Sequence, residues 1–395
     1  LAYTQIIVLG NGFDLAQHIP SSYPAFFRYR YRKYRNEKGI VPLLMPKLID
    51  DPLDDGNCIW DYLFAVWHDT AKNLDDWKDV ESAIKEWVVG KDAISLNDAM
   101  DFWEGGLAVE DHTDEVKAAY SMIKKHLREK LPSVDFSILE FPSLDEERDR
   151  FREQVLKFFA LELHIIEDEF AKYLIKTIKD NPSYEPGCKN TYKEIATIGT
   201  SVPLEQQANV ILSFNYTTPL LEKSIDDSIY YQRNVHGDTG NYEYSQTFGR
   251  EYHVIFGIDG LSRMDKPEIY QFTKTARVLE LPNQYLPEEM KGRSIFDAQE
   301  NGDEIKEIKF FGHSLGEADY SYFQSLFDQV DLYGSKTKLT FCYTTMHGPN
   351  YDAIIELMNR YGETVIPEAH GRNLLHKLLL EERLKIATLS PLVVA

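Results

Sequence analysis

The chain has 395 residues, enough to bury a large core and more than a single core usually serves. Its 64 acidic residues outnumber 43 Lys and Arg, a formal net charge of -21. A field that negative argues against a protein built around a nucleic-acid backbone or an anionic membrane surface. Cys58, Cys188 and Cys342 stand far apart and outside any C-x-x-C pairing, which predicts a cytoplasmic, reducing setting and neither a disulfide scaffold nor a zinc ribbon.

The chain opens straight into residues 5–9 (QIIVL), a short apolar run rich in β-branched side chains that predicts a buried strand. No basic n-region and cleavage site precede it, and no run approaches about 18 uninterrupted apolar residues, so neither a signal peptide nor a membrane span is expected. Gly10-Asn11-Gly12 follows at once, then Phe13 and Asp14. A strand feeding a glycine turn and a helix is how α/β sheets present a ligand to backbone N–H groups, and glycine lets a phosphate or ribose approach where a Cβ would collide. Residues 14–36 read as a helix interrupted at Pro20 and Pro24. The run Arg28 to Arg35 interleaves arginine with tyrosine; it reads as a solvated helix face or as a stacking patch for a polyphosphate.

Residues 39–58 carry the punctuation of a surface connection, and helices are predicted over 59–90 and 112–130. Trp77, Val80, Ile84 and Trp87 fall at helical steps and read as core. The longest helix is expected between about 147 and 179, where Phe151, Val155, Phe159, Leu163, Ile166, Phe170 and Leu174 form one stripe. The block 25–200 thus reads as a helical insertion or cap.

Strand character returns at 209–214, 230–235, 253–256, 305–311 and 338–343, with helices at 319–330 and 351–361. Strands alternating with helices predict an α/β fold: a Rossmann-like, mainly parallel sheet with a large helical insertion. The expected organisation is a discontinuous nucleotide-binding domain, 1–24 and 201–361, the insertion 25–200, and a helical C-terminal tail 362–395 whose leucines suggest docking or self-association. Ligands of such sheets bind beyond the C-terminal strand ends, where Gly10, Asn215, His236 and Gly312 all fall.

Two chemistries fit these residues. Gly312-His313-Ser314-Leu315-Gly316 satisfies the G-x-S-x-G nucleophile elbow, making Ser314 a hydrolase nucleophile with His347 or His370 as base. The second reading uses more of the chain. His236 serves as general base, Asn215 orients a ribose, amide or water, and Asp14 tunes the base or orders water. Gly10, Asn11, Gly12, Phe13, Gly312 and Ser314 hold the ligand. Such a site suits N-glycosidic cleavage of a dinucleotide and needs no metal. The plainer alternative is that Asn215 caps the next element, Asp14 caps a helix and His236 packs in a turn.

The segments GNGFDLAQHIPSSYPAFF, WKDVE, ILSFNYT, NVHGD, IFGID and FFGHSLGEADYSYF, in that order, resemble the AbiH family of bacterial phage abortive-infection proteins. The resemblance implies a phage-defence function without an assigned mechanism. A more distant resemblance is to the sirtuin and SIR2-like NAD-consuming fold. There a Gly-Ala-Gly turn and an I-P-x-F-R segment surround NAD, as Gly10-Asn11-Gly12 and Ile19-Pro20 through Arg28 would here. The T-Q-N-x-D strand end is similar to Ser213 to Thr217, placing Asn215 at the nicotinamide ribose; the His-Gly base is similar to His236-Gly237, and the G-T-S loop to Gly312-His313-Ser314. Thr217 stands where that motif has aspartate, and no Cys₄ zinc module is present, which disfavours a deacetylase.

The reading is a phage-defence effector that binds a nucleotide and hydrolyses NAD. Its alternatives are a catalytically inactive nucleotide sensor and a serine hydrolase using Ser314. The expected partners are the nucleotide, a phage-derived trigger and a second copy of the chain; nucleic acid is disfavoured.

Overall fold

A computed structural model describes residues 3–36, 39–41, 43–70, 80–90, 94–105, 112–139, 145–220, 228–239, 253–258, 267–279, 292–297, 304–316, 319–345, 348–365 and 373–390. The described chain divides into two compact units: residues 1–21, 174–243 and 282–395, and residues 22–173 with 244–281.

The first unit is built on a six-stranded sheet of β1 (Tyr3–Leu9), β4 (Gln207–Ser213), β5 (Ile229–Asn234), β6 (Ile305–Phe311), β7 (Lys338–Thr344) and β8 (Leu384–Leu389). Every pairing is parallel, in the order β5-β4-β1-β6-β7-β8. In this Rossmann-like arrangement β1 is central, the chain winds outward through β4 and β5, then crosses back to start again at β6. Parallel strands are covered on both faces, which explains the unbroken apolar run in β1. Ile6 and Val8 pack with Phe310, Phe323 and Met358 on one face, and Ile7 and Leu9 pack with Tyr184, Tyr192 and Ile195 on the other.

Polar residues are threaded through the second face. Lys309, in register with Ile7, is fully buried and donates to the carbonyls of Ile195, Ala196 and Ile198 at 3.0, 2.9 and 2.8 Å. These close the C-terminal end of the helix Tyr184–Thr197, where carbonyls lack intrahelical partners and the dipole favours a cation. Burial pushes the Lys309 ammonium below its usual range.

The tail expected to be helical divides in two. Leu374–Leu380 is a helix whose Leu374 and Leu378 are core residues. Residues 384–389 instead form β8, paired to β7 from Leu339↔Leu384 to Thr344↔Leu389. The alternation Leu384-Lys385-Ile386-Ala387 is the period-2 signal of an edge strand, masked in the sequence by the leucine-rich stretch before it.

The second unit is mainly helical: Tyr23–Arg30, Leu44–Asp50, Ile59–Thr70, Val80–Val89, Leu96–Trp103, Asp114–Lys130 and most of Asp145–Lys179. Among the described residues, the two-residue strands β2 (Arg35–Asn36) and β3 (Gly39–Ile40) pair antiparallel between them. Pro24 lies in the first turn of its helix, where a missing N–H costs nothing, so it starts the helix rather than breaking it. Trp77 and the WKD of the WKDVE segment lie outside the described residues.

The strand expected at 253–256 does not join a sheet. Its backbone is bound by side chains instead. Phe256 N–H donates to Glu167 at 2.6 Å, and Phe256 C=O accepts from Arg277 at 2.6 Å. Arg277 and Glu167 form a buried bidentate pair that takes the place of a neighbouring strand. The Arg28–Arg35 run is partly tied into the fold, with Arg30 buried and Arg28, Arg32 and Arg35 exposed. Arg30 makes a buried bidentate pair with Asp61, which also accepts from Tyr31; Lys33 pairs with Asp51 and Asp54; Arg32 stacks over Tyr29 at 4.3 Å.

Candidate functional site

The turns after β1, β4, β5 and β6 gather Gly10, Asn215, His236 and Gly312 at one end of the sheet, on strands that are successive neighbours. Gly10 N–H donates to Phe311 C=O at 2.9 Å and Phe214 N–H to Leu9 C=O at 2.8 Å, continuing the ladder past the strand ends. Asn234, the last residue of β5, donates its amide to the carbonyls of Asn215 and Thr217 at 2.8 and 2.9 Å. That pair of bonds fixes the Asn215 loop against β5, one residue from the approach to His236. Asn215 is only 4% exposed, and among the described residues no donor reaches its Oδ1. A buried acceptor without a donor is costly, so such atoms mark places where a ligand or water completes the site.

His236 lies in an enclosed aromatic corner. Its ring centroid is 5.5 Å from that of Phe214 and 5.7 Å from that of Tyr322. Its Nε2 is 3.0 Å from Asp319 Oδ1, within ion-pair distance though not aligned as a hydrogen bond. The second oxygen of the same carboxylate, Oδ2, is 3.3 Å from His313 Nε2. Phe214 also packs against His313, with centroids 4.4 Å apart and rings near perpendicular. His313 Nδ1 accepts the Leu315 N–H at 2.8 Å, which puts the proton of a neutral ring on Nε2, facing Asp319. Sequence reasoning missed both Asp319 and His313. An Asp just before a helix reads as a cap, and a His inside G-H-S reads as a neighbour of the serine.

Asp14 is almost fully buried and accepts hydrogen bonds from Tyr184 at 2.6 Å and from Thr217 at 2.9 Å. Burial pushes its carboxyl up to about 6, outweighing the two hydroxyls that favour the charged form. Burial and the nearby Asp14 charge in turn push the Tyr184 phenol well up. Asp14 therefore ties the first turn of the chain to the helix Tyr184–Thr197 and to the Asn215 loop.

The glycines have a packing role that the sequence did not announce. A Cβ on Gly10 would come within 2.4 Å of the His313 Cα, and one on Gly12 within 2.5 Å of the Gly312 Cα. Gly12 N–H donates to Gly312 C=O at 2.7 Å, and Gly312 itself has φ +71°. The two turns pack backbone against backbone, and that contact by itself requires glycine at all three positions. Phe13 is a core side chain, packed edge-on against Phe311 at 6.3 Å. Asn11 is exposed and accepts from the Ser21 hydroxyl.

A mostly apolar cavity of about 440 Å³ opens beside these turns, at the C-terminal ends of β6 and β7. Gly12 and Gly312 line it together with His18, His313, Phe341 and Asn350. The space is ample for the base of a nucleotide, and its position beside the reversal of strand order is where sheets of this type take ligands.

Ser314 does not have the geometry of a nucleophile elbow. The left-handed residues are Gly312 and Leu315, not Ser314, and the α-helix that follows is Tyr320–Gln329. An elbow serine sits on the sharp turn itself, directly ahead of its helix. Its proposed bases, His347 and His370, lie outside the described residues, as do Glu317 and Ala318.

Among the described residues no group of three or more His, Cys, Asp or Glu is arranged to hold a metal ion. No described helix is long and apolar enough to cross a membrane. No curated protein and no solved structure matches the chain. Residues 6–343, from the first strand through β7, match the model of the family described as bacteriophage abortive infection AbiH, and the chain belongs to that family of phage-defence proteins.

Proposed function

We propose that this phage-defence protein is an effector that binds NAD at the C-terminal end of its sheet and hydrolyses the N-glycosidic bond. The observation that carries the reading is Asn215 Oδ1: a buried acceptor, lacking a donor among the described residues, on the turn after β4, the strand paired to the β5 that leads to His236. A ribose hydroxyl supplies the missing donor. The base occupies the apolar cavity flanked by Gly12 and Gly312, and the distant resemblance to SIR2-like proteins motivates NAD among dinucleotides. Water attacks C1′ of the nicotinamide ribose as the C–N bond breaks. The bonding pair leaves with nicotinamide, which departs neutral, and His236 takes the proton of the attacking water. The products are nicotinamide and ADP-ribose.

The test is metabolite quantification with purified protein, wild type beside His236→Ala, across NAD, NADP, ATP and ADP-ribose. Wild type is expected to convert NAD to nicotinamide and ADP-ribose, and His236→Ala to be slower by about 10²- to 10⁴-fold, the usual cost of removing a positioned acid–base group. Untouched NAD with wild type, together with full phage protection by His236→Ala, overturns the hydrolase and leaves a nucleotide sensor.

A further inference from the structure

We infer that Asp319 is a positioning residue, holding His236 and His313 on the two oxygens of one carboxylate; this rests on the reading of His236 as the base. Three observations carry it. Asp319 occupies the N-cap position of the helix Tyr320–Gln329 yet makes no side-chain cap bond. An aspartate there ordinarily turns its carboxylate onto the N–H groups of the first turn. Here the oxygens instead lie 3.0 Å from His236 Nε2 and 3.3 Å from His313 Nε2.

The second observation is the tautomer of His313. The Leu315 N–H at 2.8 Å occupies Nδ1, and Leu315 adopts φ +60° where that bond forms. A left-handed conformation is unfavourable for a leucine, so the loop carries strain while it holds the Nε2 proton toward Asp319. The third is enclosure. The side chains of His236 and His313 are each 4% exposed and that of Asp319 is 16% exposed, with Phe214 packed against both rings. Water screens such a pair weakly, so the carboxylate both orients the imidazole and steadies the imidazolium formed when His236 takes a proton. His313 fixes the second oxygen and keeps the carboxylate from rotating away.

The experiment compares wild type with Asp319→Asn, which preserves shape and removes the charge. Thermal melts and circular dichroism check that the variant is folded. NAD hydrolysis is expected to fall by about 10²-fold or more while the Kd for NAD changes by less than about threefold, since a positioning carboxylate acts on the transition state rather than on binding. Ring-nitrogen NMR of ¹⁵N-histidine protein, assigned with His236→Ala and His313→Ala, is expected to show His313 as the Nε2–H tautomer in wild type. Both rings should shift in Asp319→Asn. If wild type leaves NAD untouched, the hydrolase reading fails on its own, and ring-nitrogen shifts together with phage protection still decide the role of Asp319. Unchanged ring signals, or an Asp319→Asn protein that protects cells as well as wild type, overturn it.

Discussion

At the scale of single residues, Asp14 shows what burial does to a carboxyl held by neutral partners. Its carboxyl lies among neutral hydroxyls, Tyr184 and Thr217, and burial raises it to about 6 from an ordinary 3.8. The folded state therefore holds this proton more tightly than the unfolded chain does. The resulting stability is fully present below about pH 4 and lost as pH rises through about 6, a swing of about 3 kcal/mol for a shift of roughly two units. Asp14→Asn keeps the shape and removes the titration. Urea unfolding of both proteins from pH 4 to pH 7 should show wild type losing stability relative to the variant across that window; a constant difference would falsify the assignment. Asp14 stood out in the sequence because it follows a glycine turn, but its partners are 170 and 203 residues away. Gly10 and Gly12 were equally visible, while the backbone they pack against belongs to the turn after β6.

At the scale of elements, Lys309 decides how the helix Tyr184–Thr197 ends. Its ammonium serves three carbonyls in the interior, of which that of Ala196 also accepts from the Gln5 amide. Lys309→Met retains the apolar stem and deletes the donors. The first unit should lose about 3 kcal/mol or more, since charge-assisted bonds contribute about 1.5–3 kcal/mol each and orphaned buried carbonyls add their own cost. Chemical denaturation followed by tryptophan-independent far-ultraviolet circular dichroism reads this, and a midpoint equal to that of wild type would sink the capping role. Elements with a strong period were legible without coordinates: β1, β4, β6, β7 and the long helix Asp145–Lys179 fall where periodicity puts them. The segment 253–256 was not. Its apolar run matches a strand, but Glu167 and Arg277 take up the backbone groups that a neighbouring strand would have used.

At the scale of the whole molecule, charge and topology set the partners. From a net charge of -21, and from the pairing of Arg30 and Lys33 with carboxylates, we predict that the chain does not bind nucleic acid. Fluorescence anisotropy with single-stranded RNA and DNA at physiological salt should show no association; binding that weakens steeply as salt rises would contradict this. The sequence by itself determined the α/β class, the strand ends at Gly10, Asn215, His236 and Gly312, and the family, because each is written in local period, turn chemistry or contiguous motif. Only the tertiary structure decided that Asp319 joins His236 to His313, that the two glycine turns close on each other, and that the tail supplies β8 as the sheet's sixth strand. Those outcomes depend on contacts between segments tens to hundreds of residues apart, and neither propensity nor spacing along the chain carries that information.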